Sequence, residues 1–281
     1  MCGGTDDEAA LSKDLKALVT RRAWLRLAGA ASASALASAC DGGPIFSSGE
    51  PERVAASASG ETCVADPTET AGPFPADGSN RTHGRLANLL SESGIVRRDL
   101  RSKIGAGEST YAAGAKLDLT LSLVDVATAC RPLSGHAIYL WHCDAEGRYS
   151  IYDIAETDYL RGVGVSDDSG HVRFTTIIPG CYPGRAPHMH FEVYPSLSSS
   201  VSYEKRSLTS QLAIPPLVCK EVYGSVSAYR ASQENYRRTP ALENDGIFSD
   251  NTPKQLAAQT MAISGSQDSG YQGLITIGLA I

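Results

Sequence analysis

The 281-residue sequence has no surplus of positive charge: 25 Lys and Arg residues face 31 Asp and Glu, a formal net charge of −6. Recognition of a nucleic-acid backbone needs a concentrated basic face, so no nucleic-acid partner is expected. The pairs Arg97-Arg98 and Arg237-Arg238 stand among mixed neighbours and read as solvated surface. A bilayer-spanning run is missing too. The weakly apolar stretch Leu27 to Ala39 is rich in Ala and Ser, too short and too poor in large side chains to cross a membrane. The seven cysteines show none of the close pairing of a zinc site. Cys63, Cys130, Cys143, Cys181 and Cys219 leave several disulfide pairings open, and buried free thiols are equally compatible with their positions. There is no internal repeat. Helical signals are few and short, Pro216 to Tyr223 and Lys254 to Ala262.

What the N-terminus does carry reads as an address. Arg21-Arg22 precede the Ala/Ser-rich run, as in a twin-arginine export signal. Ala37-Ser38-Ala39 supplies small residues for cleavage, and Cys40 follows as in a lipoprotein signal. Residues 1–40 are therefore expected to be an export signal, with Cys40 a candidate lipid anchor to a membrane and the periplasm or cell envelope as destination. Residues 41–60 are rich in Gly, Ser, Pro and Ala and read as a flexible linker. Residues 61–281 are enough for one substantial core.

Strand signals dominate that region. Leu117, Leu119, Leu121 and Leu123 alternate with polar residues, the period-two pattern of a half-buried strand. Ala137 to His142 is apolar on both faces, as in a sheet covered on each side. Val172, Phe174, Thr176 and Ile178 alternate again after the turn-forming Asp167-Asp168-Ser169-Gly170. Leu274 to Ile281 reads as a further apolar strand. The fold class that follows is mainly β: an immunoglobulin-like β-sandwich with long loops and few short helices.

The segment richest in chemistry is Pro187-His188-Met189-His190-Phe191-Glu192-Val193-Tyr194. On a strand, Met189, Phe191 and Val193 share a core-facing side, while His188 and His190 project together from the other, close enough to hold one metal. Before them, Gly180-Cys181-Tyr182-Pro183-Gly184-Arg185-Ala186-Pro187 forms a Gly/Pro-built loop that delivers Tyr182 and Arg185. Further upstream, Trp141-His142-Cys143-Asp144-Ala145-Glu146-Gly147-Arg148-Tyr149-Ser150 runs off a buried strand into a turn ending on Tyr149. Two phenolates and two neutral imidazoles make a hard, dianionic donor set that favours Fe(III) over Zn(II). His136 and His142 read as structural or exposed, and Tyr152, Tyr159 and Tyr194 as packing or surface residues.

At these two runs the sequence resembles the intradiol ring-cleavage dioxygenases, the family of catechol and protocatechuate dioxygenases, over roughly Cys63 to Ser249. The resemblance implies one Fe(III) per chain, with Tyr149 and Tyr182 as tyrosinate ligands and His188 and His190 as imidazole ligands. Arg185 would stabilise negative charge developing on the substrate, and Gln211, in Leu208-Thr209-Ser210-Gln211-Leu212, resembles a residue supporting the site. Gly72, Pro73 and Phe74, within Thr70-Ala71-Gly72-Pro73-Phe74, resemble the segment that walls the substrate pocket. The activity implied is cleavage of an aromatic diol with O2 to a muconate-type dicarboxylate. Catechol is the expected substrate rather than protocatechuate, for which Arg81 and Arg85 are the candidate partner cations. The rival readings are an exported sandwich module that binds without catalysis, and a Zn or Cu protein using the two histidines alone.

Overall fold

The computed structural model of the protein describes residues 52–57, 60, 62–105 and 111–281. The Arg21-Arg22 pair, Cys40 and most of the linker lie outside these residues. Strand β1 (Val54–Ala56) pairs antiparallel with β2 (Thr62–Val64). The linker read over residues 41–60 thus includes a strand near its end. Three small residues there have no period of their own, and they are ordered by a partner across the turn. Cys63 of β2 is bonded to Cys130, with 5.9 Å between the Cα atoms, while Cys143, Cys181 and Cys219 are buried free thiols.

Strands β3 (Asp77–Thr82) and β4 (Arg85–Asn88) form a hairpin. The sequence does not announce it, because Asp77-Gly78-Ser79-Asn80-Arg81-Thr82 has no apolar alternation. Two larger sheets follow. One is built on β5 (Lys116–Asp125), in which Leu117, Leu119, Leu121 and Leu123 are all buried, as their alternation predicts. Its end pairs with β6 (Arg131–Pro132). The second sheet begins with β7 (Ala137–Trp141), buried on both faces, and β8 (Arg161–Val165). Strand β9 (His171–Ile177) returns to pair with β5. Strands β10 (His188–Tyr194) and β11 (Leu208–Ala213) complete the second sheet, whose order is β11-β10-β7-β8. Finally β12 (Ala262–Ser266) and β13 (Gly270–Leu279) extend the first, with β13 parallel to β5.

The architecture is a mainly-β sandwich. Leu117 to Leu123 of β5, Val172 and Phe174 of β9 and Ile277 of β13 meet Ile138, Leu140, Met189, Phe191, Val193 and Leu212 of the other sheet in one core cluster. Ala137, Tyr139 and Trp141 face the opposite way, into a second apolar cluster with Tyr149, Val163 and Tyr194. Covering both faces explains the continuous apolar run of β7.

Helices are short and lie between or after the strands. Helix α1 (Pro216–Ser225) starts at the expected proline, and α2 (Arg230–Tyr236) was not evident in the sequence. Helix α3 (Pro253–Gln259) ends sooner than the stretch Lys254 to Ala262 suggests, because Ala262 already belongs to β12. Its Thr252 cap accepts from Gln255 N–H at 3.2 Å, and Gln255 reaches back to Thr252 N–H. The last strand begins at Gly270 rather than Leu274, and Leu274 points outward.

Candidate metal centre

The four antiparallel strands of the second sheet place one residue each in a single row. Gln211 of β11 opposes His190 of β10, His190 opposes Trp141 of β7, and Trp141 opposes Arg161 of β8. Opposed residues share a face of the sheet, so this row points away from the sandwich core. His188, two residues from His190, lies on the same side. Trp141 lies flat on the His190 imidazole, with centroids 5.1 Å apart and 6° between planes. This fixes the plane in which His190 can present a lone pair.

His188 is oriented by its own loop. Its Nδ1 lies 2.6 Å from the Ala186 carbonyl oxygen, an acceptor, so the proton sits on Nδ1 and the Nε2 lone pair faces the site. That Nε2 is 3.1 Å from His190 Nε2 and 3.0 Å from Tyr182 Oη, whose hydroxyl donates to it. Tyr149 approaches from the turn after β7, its ring 6.0 Å from Tyr182 and 6.3 Å from His190. The turn is braced by Asp144, whose Oδ1 accepts from the N–H groups of Glu146 and Arg148, both at 2.9 Å. At Gly147, with φ +87°, a Cβ would collide with the Cys181 carbonyl, so the two tyrosine loops meet where only glycine fits.

Burial dominates the electrostatics. It drives both His188 and His190 well below the usual histidine range, with the Arg185 charge adding to the effect, so both imidazoles are neutral and able to coordinate. It pushes Tyr182 up to about 12 against the opposing pull of Arg185, and raises Tyr149 well above the ordinary phenol value. Tyr149 Oη is buried and has no hydrogen-bond partner of acceptable geometry. A buried hydroxyl left in this way costs stability unless something else satisfies it. Among the described residues no group of three or more His, Cys, Asp or Glu side chains converges. An ion at the two histidines must therefore draw on the phenols, and that donor set fits a hard, highly charged cation such as Fe(III).

Arg185 is a buried cation with a built anchor. Its Nε lies 3.0 Å from Asp245 Oδ2, and its Nη2 donates to Gln211 Oε1 at 2.7 Å. Gln211 Nε2 in turn donates to the Thr70 carbonyl at 2.8 Å. Gln211 thereby joins Arg185 to the segment carrying Gly72, Pro73 and Phe74. Gly72, at φ +69°, presses against His190, and a Cβ there would sit 3.2 Å from Cε1. The Pro73 carbonyl accepts from Asn80 Nδ2 at 2.6 Å. Phe74 packs on Tyr149 at 4.8 Å and on Tyr152 at 5.1 Å, an apolar wall beside the unpartnered phenol.

All the residues singled out from the sequence thus converge, but Arg81 and Arg85 do not. Both are exposed on the β3–β4 hairpin. His142 is structural, as expected: burial lowers it to about 4, and it bridges the Cys143 carbonyl and Thr176 Oγ1. Three participants escaped the sequence reading: Asp245, the role of Trp141, and Arg161. Asp245 sits in a polar loop with no motif around it, and the other two act through strand register, which no local pattern reveals.

Comparison with known proteins agrees with this geometry. Residues 105–201 match a family model described as Dioxygenase. A catechol 1,2-dioxygenase from Pseudomonas sp. (strain EST1001) is 38% identical over 63 residues, covering 21% of this chain and 21% of that protein. The chain therefore aligns with about a fifth of the length of that curated relative. The solved structure of an intradiol ring-cleavage dioxygenase from Tetranychus urticae is 23% identical, covers 77% of this chain and 94% of its own, and has a TM-score of 0.56. A second dioxygenase crystal structure is 24% identical, with the same coverage and a TM-score of 0.57. At that identity the structures establish a shared fold. With the family match and the Tyr-Pro-Gly-Arg and His-x-His runs, they bear out the resemblance read from the sequence.

Proposed function

We propose that this chain, which belongs with the intradiol ring-cleavage dioxygenases in motif and fold, opens a catechol-type ring between its two hydroxyl-bearing carbons with O2. The product would be a muconate-type dicarboxylate, and one ferric ion would be held by Tyr149, Tyr182, His188 and His190. The observation that carries this reading is the convergence of those four donors, with Tyr149 Oη buried and unpartnered. Bound Fe(III) supplies the Lewis acidity that lets a diol bind as a dianion and be activated toward O2.

The chain's own residues do the rest. Held as a tyrosinate by that ion, Tyr182 Oη would be placed to take a proton from the diol, and burial, which favours the neutral phenol, would help it keep that proton. With Nε on Asp245 and Nη2 on Gln211, Arg185 keeps Nη1 for negative charge developing on a substrate oxygen. Phe74 packs on Tyr149 and gives the donor cluster one apolar side, against which a flat ring would lie.

Catechol is favoured over protocatechuate, because a ring carboxylate in a partly desolvated site needs a cation and Arg81 and Arg85 are exposed. The test is iron content and visible absorption of the purified protein, then mass analysis of products from each compound under labelled O2. About one iron per chain, a reddish colour and a muconate carrying both labelled atoms are expected. A colourless, metal-free protein would leave a binding module as the reading, and cleavage outside the diol would overturn the mechanism.

Export through the twin-arginine route, with Cys40 as lipid anchor, is part of the same proposal. The Cys63–Cys130 disulfide supports an oxidising compartment. Arg21→Lys together with Arg22→Lys keeps the charge yet is expected to leave unprocessed precursor inside the cell. Normal processing of that double variant would show that another route, or none, is used.

A further inference from the structure

Arg161 is fully buried, and its guanidinium is spent entirely on neutral acceptors. Nε donates to Ser150 Oγ at 2.9 Å and Nη2 to the Ser150 carbonyl at 3.2 Å. Nη1 reaches the carbonyls of Phe74 at 2.9 Å and Pro75 at 3.1 Å, and Tyr139 Oη at 3.3 Å. None of these partners is a carboxylate, in contrast to the Asp245 that pairs with Arg185. Burying a cation without a counter-charge is costly, and a neutral side chain would avoid that cost. What a neutral or point-charge side chain lacks is a rigid, planar fork able to donate in three directions at once.

The three directions are informative. One arm of the fork takes the backbone just after Phe74, and another takes the residue next to Tyr149. Phe74 and Tyr149 are the two rings that pack on each other, centroids 4.8 Å apart and tilted by 34°, to form one apolar wall. The guanidinium carbon also lies 6.0 Å from the Tyr149 ring and 5.4 Å from the Tyr152 ring, within cation–π range. The base of the fork is as well located as its arms. Arg161 is the end of the row that runs through Trp141 and His190 to Gln211, and its carbonyl accepts from Arg97 Nε at 2.9 Å. The two segments of this wall are far apart in sequence and are tied to one rigid point on the sheet that carries the histidines.

We propose that Arg161 is a positioning residue that holds Phe74 packed against Tyr149, and thereby sets the apolar wall against which an aromatic diol lies. This rests on the dioxygenase reading above. Arg161 hydrogen-bonds none of the four donor atoms. It acts through the two segments that build the wall.

Arg161→Lys is the test, because lysine keeps the charge but cannot hydrogen-bond both segments of the wall. Iron per chain, and kcat and KM per bound iron with catechol and a 4-alkyl catechol, are measured alongside hydrogen exchange of the metal-free protein. The expected result is near-normal iron and kcat, KM for catechol raised on the order of tenfold, and a smaller rise for the bulkier ring. Exchange should quicken at both 73–76 and 149–152 while 209–212 is unchanged. A residue that only supported the fold would lower the active fraction and leave KM per iron as it was. That outcome, or exchange altered in one of the two segments alone, would overturn the proposal. If the wild type takes no iron and cleaves no diol, the functional reading fails, and the exchange arm alone decides whether Arg161 joins the two segments. Should Arg161→Lys not fold, Ser150→Ala removes the Nε acceptor together with the Ser150 Oγ hydrogen bond to the Tyr159 carbonyl, and is expected to raise KM about threefold. An unchanged KM in that variant would then count against the proposal.

Discussion

Tyr149→Phe is expected to abolish stoichiometric iron binding, weakening retention at least 100-fold, by more than the loss of a mere supporting contact to a ligand. The same change should leave the metal-free protein intact. Tyr149 Oη has only Tyr182 beside it and makes no well-formed hydrogen bond, so its removal costs the metal-free protein less than about 1 kcal/mol. Lost metal with nearly unchanged apo stability is a signature that a generic packing defect cannot produce. Iron analysis after dialysis and thermal melting of the metal-free protein measure the two halves. Tyr182→Phe should differ. It keeps three donors and most of the iron, shifts the visible band, and slows turnover by roughly 10²–10⁴-fold, because the proton acceptor at Oη is gone. Normal turnover in both variants would show the donor set to be wrongly assigned.

Asp245→Ala is the second large effect. Its carboxylate accepts from Arg185 Nε, from Ala186 N–H at 2.8 Å and from Ile247 N–H at 2.9 Å, all buried. Alanine leaves the guanidinium without a counter-charge and three backbone donors, the N–H groups of Ala186, Ile247 and Phe248, without acceptors, a loss of about 3–5 kcal/mol. Adding Arg185→Met removes the stranded charge, so the double variant is expected to be more stable than Asp245→Ala alone. Urea denaturation of the four proteins in the cycle measures the coupling. A cost below about 1 kcal/mol for Asp245→Ala would mean that Arg185 is not anchored as described.

These two sites were unequally visible beforehand. Period-two alternation was sufficient to put Met189, Phe191 and Val193 in the core and His188 and His190 opposite them, because a strand leaves no other choice. Tyr149 and Tyr182 were legible only as members of recognised runs, since nothing local says that two loops about thirty residues apart will meet at Gly147. Asp245 could not be found at all. Its partner Arg185 lies sixty residues earlier, and the loop around it, Glu243-Asn244-Asp245-Gly246, looks like any solvated turn. The β3–β4 hairpin was missed for the opposite reason to β10: its residues carry no apolar period, and pairing with each other orders them. Arg161 carries no motif, and nothing local marks the charge that opens β8 as a buried one.

The row from Gln211 through His190 and Trp141 to Arg161 makes the ion-binding place a gauge of strand alignment. Shifting β10 by one residue against β7 would turn Met189 and Phe191 outward and bury the imidazoles among the leucines of the sandwich. Such a mispaired chain has nothing to offer a metal. If iron binds as proposed, its uptake would sort correctly aligned molecules from misaligned ones, and the holo fraction of a preparation would count the chains whose β-sheet has closed in the right frame.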